Sequence, residues 1–210
     1  MSLATSRKLY VLGGSPCSGK STLAERLCGN FPLALYSADA HEAKLLTRCT
    51  AARQPIMTHY RALTWPQIMA IPLEQAVRDE WQYYRERFEL ILEDLNSLVG
   101  DGPLLLEGAD FLPELVHTLP VLPARVFYLI PSAEFQHAHY WRRPWVRSLL
   151  AQCPDPEAAF AHWMARDQLF AAGVAAQARQ FGYPCQIVTE RLSLAYLEEL
   201  VRTHFLLLDE

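Results

Sequence analysis

Residues 14–21 read Gly14-Ser15-Pro16-Cys17-Ser18-Gly19-Lys20-Ser21, with Thr22 next, and they satisfy the spacing G-x-x-x-x-G-K-[ST] at every fixed position. These residue types at this spacing grip phosphate. The glycines let the backbone curl until its N–H groups converge on a β-phosphate, at the positive end of the helix beyond. Lys20 adds a point charge for the β- and γ-phosphates, and the Ser21 hydroxyl is a ligand for Mg²⁺. Pro16 brings no N–H, but it stands early in the loop, ahead of most of the donors. Residues 14–22 are therefore the expected nucleotide-binding segment, with ATP and Mg²⁺ as the expected cofactors.

Three further groups have types and positions suited to moving a phosphate. Asp39, in "LALYSADAHEAK", lies just past an apolar run whose carboxyl end should open on the same crevice as the loop. A carboxylate there could take the proton of an acceptor hydroxyl. Equally, Asp39 and Glu42 fit a capping box for a helix starting at Ala40. Glu107 closes "PLLLEG", where an acid at a strand end could hold Mg²⁺, directly or through water, or orient the acceptor. Arg142, Arg143 and Arg147 crowd into "HAHYWRRPWVRSLL", a helical stretch that Pro144 must kink. Guanidinium groups over a γ-phosphate would neutralise charge that develops in transfer; on an ordinary surface helix they are solvated.

Other polar residues carry weaker signals. Lys44, Arg48, Arg53 and Arg61 form a basic group in a chain of formal net charge −4. An anionic acceptor would suit them, and a solvated face explains them equally well. His137 and His139 read as ordinary polar residues. Thr189 and Glu190 are adenine-side candidates by position alone.

The elements that must position these groups alternate. Apolar runs at 8–13, 33–37, 103–108, 125–130 and 185–189 are separated by helical patterns, as in a parallel α/β sheet. Residues 73–99 place Val77, Trp81, Tyr84, Phe88, Ile91, Leu92, Leu95 and Leu98 on one stripe, a strong amphipathic helix. Further helices are expected at 22–28, 157–181 and 194–205. Pro55, Pro66 and Pro72 break the segment 51–72, an insertion after the second strand, and 111–124 reads as a connecting loop.

A chain of 210 residues, 51% of them apolar, is enough for one α/β domain spanning 1–210 with a sizeable core. The charge gives no basic footprint for nucleic acid. The 5 cysteines are odd in number and lack Cys-x-x-Cys spacing, which points to free thiols in a reducing cytoplasm. The opening "MSLATSRK" lacks the apolar core of a leader, and no apolar run approaches the ~18 residues of a membrane span.

With these residues in place, the chain resembles the P-loop kinases of small molecules and nucleotides, a group that includes adenylate kinase, shikimate and gluconate kinases and chloramphenicol phosphotransferase. The likeness is specific at 14–21 and skeletal elsewhere. It implies a three-layer fold with a five-stranded parallel sheet in the order 2-3-1-4-5. It also implies an acceptor-side helical region at 40–100 and a lid-like region at 134–155 that carries the arginines. Asp39 resembles the acid that hydroxyl kinases such as chloramphenicol phosphotransferase place after the second strand. The expected activity is transfer of the γ-phosphate of ATP to a hydroxyl of a small molecule. A nucleoside monophosphate kinase and a non-catalytic nucleotide-binding regulator are the alternatives. The guanine-specifying Asn-Lys-x-Asp of GTPases is missing from the sequence.

Overall fold

The structure is a computed structural model that describes Leu3 and residues 7–207. Most of the opening stretch read for a leader, and the last residues of the expected domain, lie outside the described residues.

Five parallel strands form one sheet: β1 (Leu9–Gly14), β2 (Ala34–Ser37), β3 (Leu104–Glu107), β4 (Val126–Pro131) and β5 (Cys185–Val188). Their spatial order is β2-β3-β1-β4-β5, as expected. On β1, Leu9 and Val11 point into a core shared with Phe88, Ile91, Phe170 and Val174. Tyr10 and Leu12 point the other way, onto Leu23, Leu27, Val201 and Phe205. A strand buried on both faces needs apolar residues at both parities, which is why its run is continuous rather than alternating.

Helix α1 (Lys20–Asn30) continues directly from the loop. Between β2 and β3 come α2 (Ala38–Arg48), α3 (Pro55–Ala62), α4 (Trp65–Met69) and α5 (Leu73–Ser97). Short α6 (Pro113–Val116) precedes β4; α7 (Ala133–Trp141), α8 (Pro144–Leu150) and α9 (Pro156–Gln180) come after it; α10 (Leu194–Phe205) closes the chain.

The prolines act differently from expectation. Pro55 and Pro66 sit in the first turns of α3 and α4, and Pro72 stands just before α5. At a helix start the missing N–H costs nothing, so these residues begin helices rather than break a segment. Pro144 likewise does not kink one helix: it opens α8, with Arg142 and Arg143 in the link from α7. Residues 111–124 are not a plain loop either, since α6 and a 3-10 turn at Pro123–Arg125 occupy much of the span, and Phe111, Leu112 and Val116 are fully buried.

A third, smaller core joins α7, α8 and α9 through Tyr140, Val146, Leu150, Phe160 and Trp163, with Trp65 of α4 packed against it. It brings the segment after β4 and the insertion after β2 to the same cleft.

Candidate active site

The phosphate loop is rooted by close backbone contact. Gly14 lies so near β4 that a Cβ there would stand 2.0 Å from the Leu129 carbonyl oxygen, and its φ is +140°. No other residue fits. The Ser15 N–H donates to the same Leu129 oxygen at 3.3 Å. Gly14 and Ser15 thus form the floor, while residues Pro16 to Thr22 line a cleft of about 590 Å³. Gln136 Nε2 donates to the Pro16 carbonyl at 3.2 Å, tying the loop to α7.

Lys20 is 6% exposed, and its Nζ donates to the Ser15 carbonyl at 2.8 Å and approaches Ser18 Oγ at 3.4 Å. Burial draws its pKa down, opposed first by Glu107 and then by Asp39. Ser15 Oγ is buried with no hydrogen-bond partner. Converging amides, a buried ammonium and an orphaned hydroxyl are groups that phosphate oxygens would satisfy.

Ser21 Oγ donates to Glu107 Oε1 at 3.2 Å, and Ser37 Oγ donates to Glu107 Oε2 at 2.9 Å. The sheet register sets this up, because Ser37 is paired with Glu107 across β2 and β3. Glu107 is 1% exposed; burial pushes its carboxyl above the usual range, against the pull of Lys20 and the two hydroxyls. Gly108 comes next with φ +152°, and a Cβ there would come within 2.7 Å of Ala38 Cβ. The close approach it permits is that of α2. Among the described residues, no cluster of three or more His, Cys, Asp or Glu forms a protein-only metal site. Mg²⁺ takes few protein ligands and completes its shell with water and phosphate, and Ser21 and Glu107 are the residues here that would hold it.

Asp39 does not cap its helix. Ser37 is the N-cap of α2 and Asp39 sits in the first turn, so the capping-box expectation fails. Instead Asp39 Oδ1 accepts from Arg87 Nη2 at 3.0 Å, and Glu42 Oε1 accepts from Arg87 Nη1 at 2.7 Å. The remaining edge of the same guanidinium is paired with Asp110, which is fully buried. Arg87 also lies over the rings of Tyr83 and Tyr84, 5.8 and 5.5 Å from their centroids. Asp39 and Glu42 line the cleft opposite the loop.

The three candidate arginines separate. Arg143 lines the cleft, its guanidinium 5.1 Å from the Tyr140 ring and 5.8 Å from that of Trp145. Arg142 and Arg147 are exposed and stand off its wall; Arg142 lies 3.6 Å from Glu190. The cause is Pro144, which starts a new helix and turns neighbouring side chains to different sides. Glu190 also has His139 Nε2 within 3.1 Å, so its partners are side chains of the link and α7.

The basic group does not face the cleft as a unit. Lys44 and Arg48 pair with Asp94, Arg48 and Arg53 with Glu93, and Arg53 approaches Glu89, all on α5. Arg61 Nη1 donates to the Leu46 carbonyl at 2.6 Å. The solvated-face reading is the one that fits.

Sequence reasoning misses Arg87, Asp110, Glu80 and Arg166. Arg166 Nε lies 3.2 Å from Glu80 Oε2 and is held by Asp167 through bonds of 3.0 and 2.7 Å. A signal exists: Glu80 and Arg87 interleave with Tyr84 and Ile91 at three- and four-residue spacing on the apolar stripe of α5. Charged residues in such a stripe must be paired or functional.

No family model matches the sequence, and no curated protein matches it. Solved structures resemble it in fold. Shikimate kinase from Acinetobacter baumannii in complex with shikimate is 15% identical, with 94% of this chain and 89% of that one covered and a TM-score of 0.45. An uncharacterized protein from Eubacterium ventriosum is 10% identical over 95% of this chain and 98% of that one, also at 0.45. The NadR protein in complex with NR is 13% identical at a TM-score of 0.44; 97% of this chain covers 53% of that one. The sheet order β2-β3-β1-β4-β5, with the glycine-rich loop between β1 and α1, is the arrangement expected from the sequence.

Proposed function

We propose that the protein is an ATP- and Mg²⁺-dependent phosphotransferase that moves the γ-phosphate to a hydroxyl of a small molecule. The observation that carries this reading is Asp39. Its side chain is 68% exposed, yet one of its oxygens is fixed by buried Arg87, in the same cleft as Lys20 and the loop. A phosphate acceptor arrives already ionised and has no proton to give up. A hydroxyl acceptor must lose one, and a held, open carboxylate is suited to take it. Asp39 and Glu42, which line one cleft, would also repel a phosphate acceptor more than an alcohol.

Each part then has its own task. The amides of residues 17–22 and Lys20 would hold the β/γ-phosphates, and Ser21 with Glu107 would hold Mg²⁺. The metal, when bound, supplies charge neutralisation on phosphate oxygens. Asp39 orients the acceptor hydroxyl and takes its proton as the oxygen attacks. Arg143, which lines the same cleft, would meet charge developing on the transferred group. Trp65, Tyr140, Trp145 and Trp163 give the cleft an apolar roof that limits water and so limits hydrolysis.

The test is ADP formation from Mg·ATP across a panel of small alcohols, with Asp39→Asn as control. An acceptor-dependent rate that collapses in the variant while ATP binding persists supports the reading. A rate on nucleoside monophosphates that survives the substitution overturns it.

A further inference from the structure

A second cleft of about 320 Å³ opens off the first. Glu42, Trp65, Glu80, Tyr83, Tyr84 and Arg166 line both, so the two are continuous. Asp39 faces only the phosphate side, and Glu42, one helical turn later, stands at the boundary. A molecule seated in the second cleft therefore has its nearest route to the loop past Glu42 and Asp39.

The walls define what fits there. Leu46, Ile68 and Ala76 are apolar, and Trp65, Tyr60, Tyr83 and Tyr84 supply rings. Trp65 is itself held by stacking on Trp163, with centroids 5.1 Å apart and planes at 29°. The polar groups are biased in sign. Asp79 Oδ2 accepts from the Tyr60 hydroxyl at 3.0 Å. Glu42 uses Oε1 for both Tyr83, at 3.1 Å, and Arg87. In each case the bonds named fall on one oxygen of the carboxylate, and the other is an acceptor for a ligand donor. Of the two cations of the wall, Arg166 is paired with Asp167 and Glu80, while Arg61, exposed at the rim, gives one N–H to the neutral Leu46 carbonyl. Lys44, Arg48 and Arg53 are turned to the acids of α5. An anionic ligand would find one guanidinium that no carboxylate of the described residues neutralises, Arg61 at the rim, and would otherwise lie among carboxylates. A neutral or cationic ligand would meet acceptor oxygens and ring faces, a combination that favours ammonium groups and hydroxyls.

We infer that the acceptor is a ring-bearing alcohol, uncharged or positively charged, seated in the second cleft with its hydroxyl toward Asp39, and not a phosphate- or carboxylate-bearing molecule. This rests on the phosphotransferase reading for its catalytic half and on the cleft chemistry alone for its binding half.

The experiment is calorimetric titration of the full chain, saturated with Mg·ADP, using pairs of compounds that differ in one charged group. The pairs are a nucleoside with its 5′-monophosphate, a phenyl amino-alcohol with the corresponding hydroxy acid, and an aminocyclitol with a sugar acid of similar size. In at least one pair the neutral or amine member should bind about tenfold or more tighter. Arg61→Glu, a change at an exposed rim residue, should widen that gap for the amine. ADP formation from Mg·ATP is then measured on the same compounds. Tight binding of neutral or amine members without ADP formation would keep the acceptor class and sink the phosphotransferase. Preferred binding or turnover of the anionic members would overturn the acceptor class and leave the phosphotransferase standing. If no member of any pair binds while Mg·ADP does, the assignment of this cleft is wrong.

Discussion

Arg87 Nη2 donates to Asp39 Oδ1 at 3.0 Å, while the same Nη2 and the neighbouring Nε are held by fully buried Asp110. An exposed carboxylate on the first turn of a helix would ordinarily wander. Here it is anchored through an arginine that is only 2% exposed. Fixing a base within reach of its proton, and leaving its second oxygen open, is the arrangement general-base catalysis needs. Asp39→Asn keeps the shape and removes the basicity. It should lower the acceptor-dependent rate by about 10²- to 10⁴-fold. Equilibrium ATP binding, measured by titration of the same variant, should change little. A loss of both together would move Asp39 from the acceptor side to the nucleotide side.

Arg87 itself should matter to folding as well as to rate. Arg87→Met leaves Asp110 buried with its charge uncompensated, and breaking a buried pair in this way costs about 3–5 kcal/mol. The expected result is a markedly lower melting temperature. In the double variant Arg87→Met/Asp110→Leu, where neither charge remains, much of that loss should return. A double variant as unstable as the single one would show that the pair is not the source.

Ser21 and Glu107 meet at 3.2 Å where α1 crosses the end of β3, with Ser37 bonding the other carboxylate oxygen. If this corner holds the metal, Glu107→Gln should raise the Mg²⁺ concentration needed for half-maximal rate by about tenfold or more, as loss of a group supporting a metal does. Titrating Mg²⁺ at fixed ATP reads this directly. An unchanged requirement, with a lower maximal rate, would make Glu107 an acceptor-orienting group instead.

Among the arginines after β4 the structure separates what spacing could not. Arg143 faces the cleft and should lose about 10- to 10³-fold in rate on change to alanine, the range expected for one donor to developing charge. Arg142→Ala and Arg147→Ala, on exposed sites, should stay within about twofold of the parent, like most surface changes. Steady-state kinetics of the three variants checks the order. An equal loss in all three would mean the segment closes over the nucleotide in a different pose.

The sheet is legible in the sequence because β1, β3 and β4 are buried on both faces and are apolar at nearly every position, Glu107 at the end of β3 being the charged exception. The loop is legible because its backbone geometry tolerates few residues, as Gly14 against Leu129 shows. Arg87 is not, since its meaning depends on Asp39, Glu42 and Asp110, brought together from β2's end, α2 and the segment after β3. The prolines mislead for a related reason. Alone, a proline says only that no interior helical N–H stands there; whether a helix ends or begins at it depends on the residues beyond it. The basic group misleads because the acids that neutralise it lie on a helix some forty residues away in sequence.

Glu80 gives the last prediction, one of pH. Its side chain is 9% exposed beside Arg166, whose guanidinium is already shared with Asp167, so burial dominates and pushes the carboxyl up to about 8. A carboxyl that titrates higher in the folded chain than in the unfolded one stabilises the fold while it keeps its proton. The contribution is fully present below the unfolded value, near the ordinary 4.5, and is lost as pH rises through about 8. Glu80→Gln keeps the size and cannot ionise. The melting temperature of Glu80→Gln minus that of the parent should therefore climb between pH 5 and pH 9, roughly the interval between the two titrations. Asp167, also raised by burial and beside the same Arg166, is present in both proteins. A flat difference would mean that Arg166 holds Glu80 ionised throughout this range.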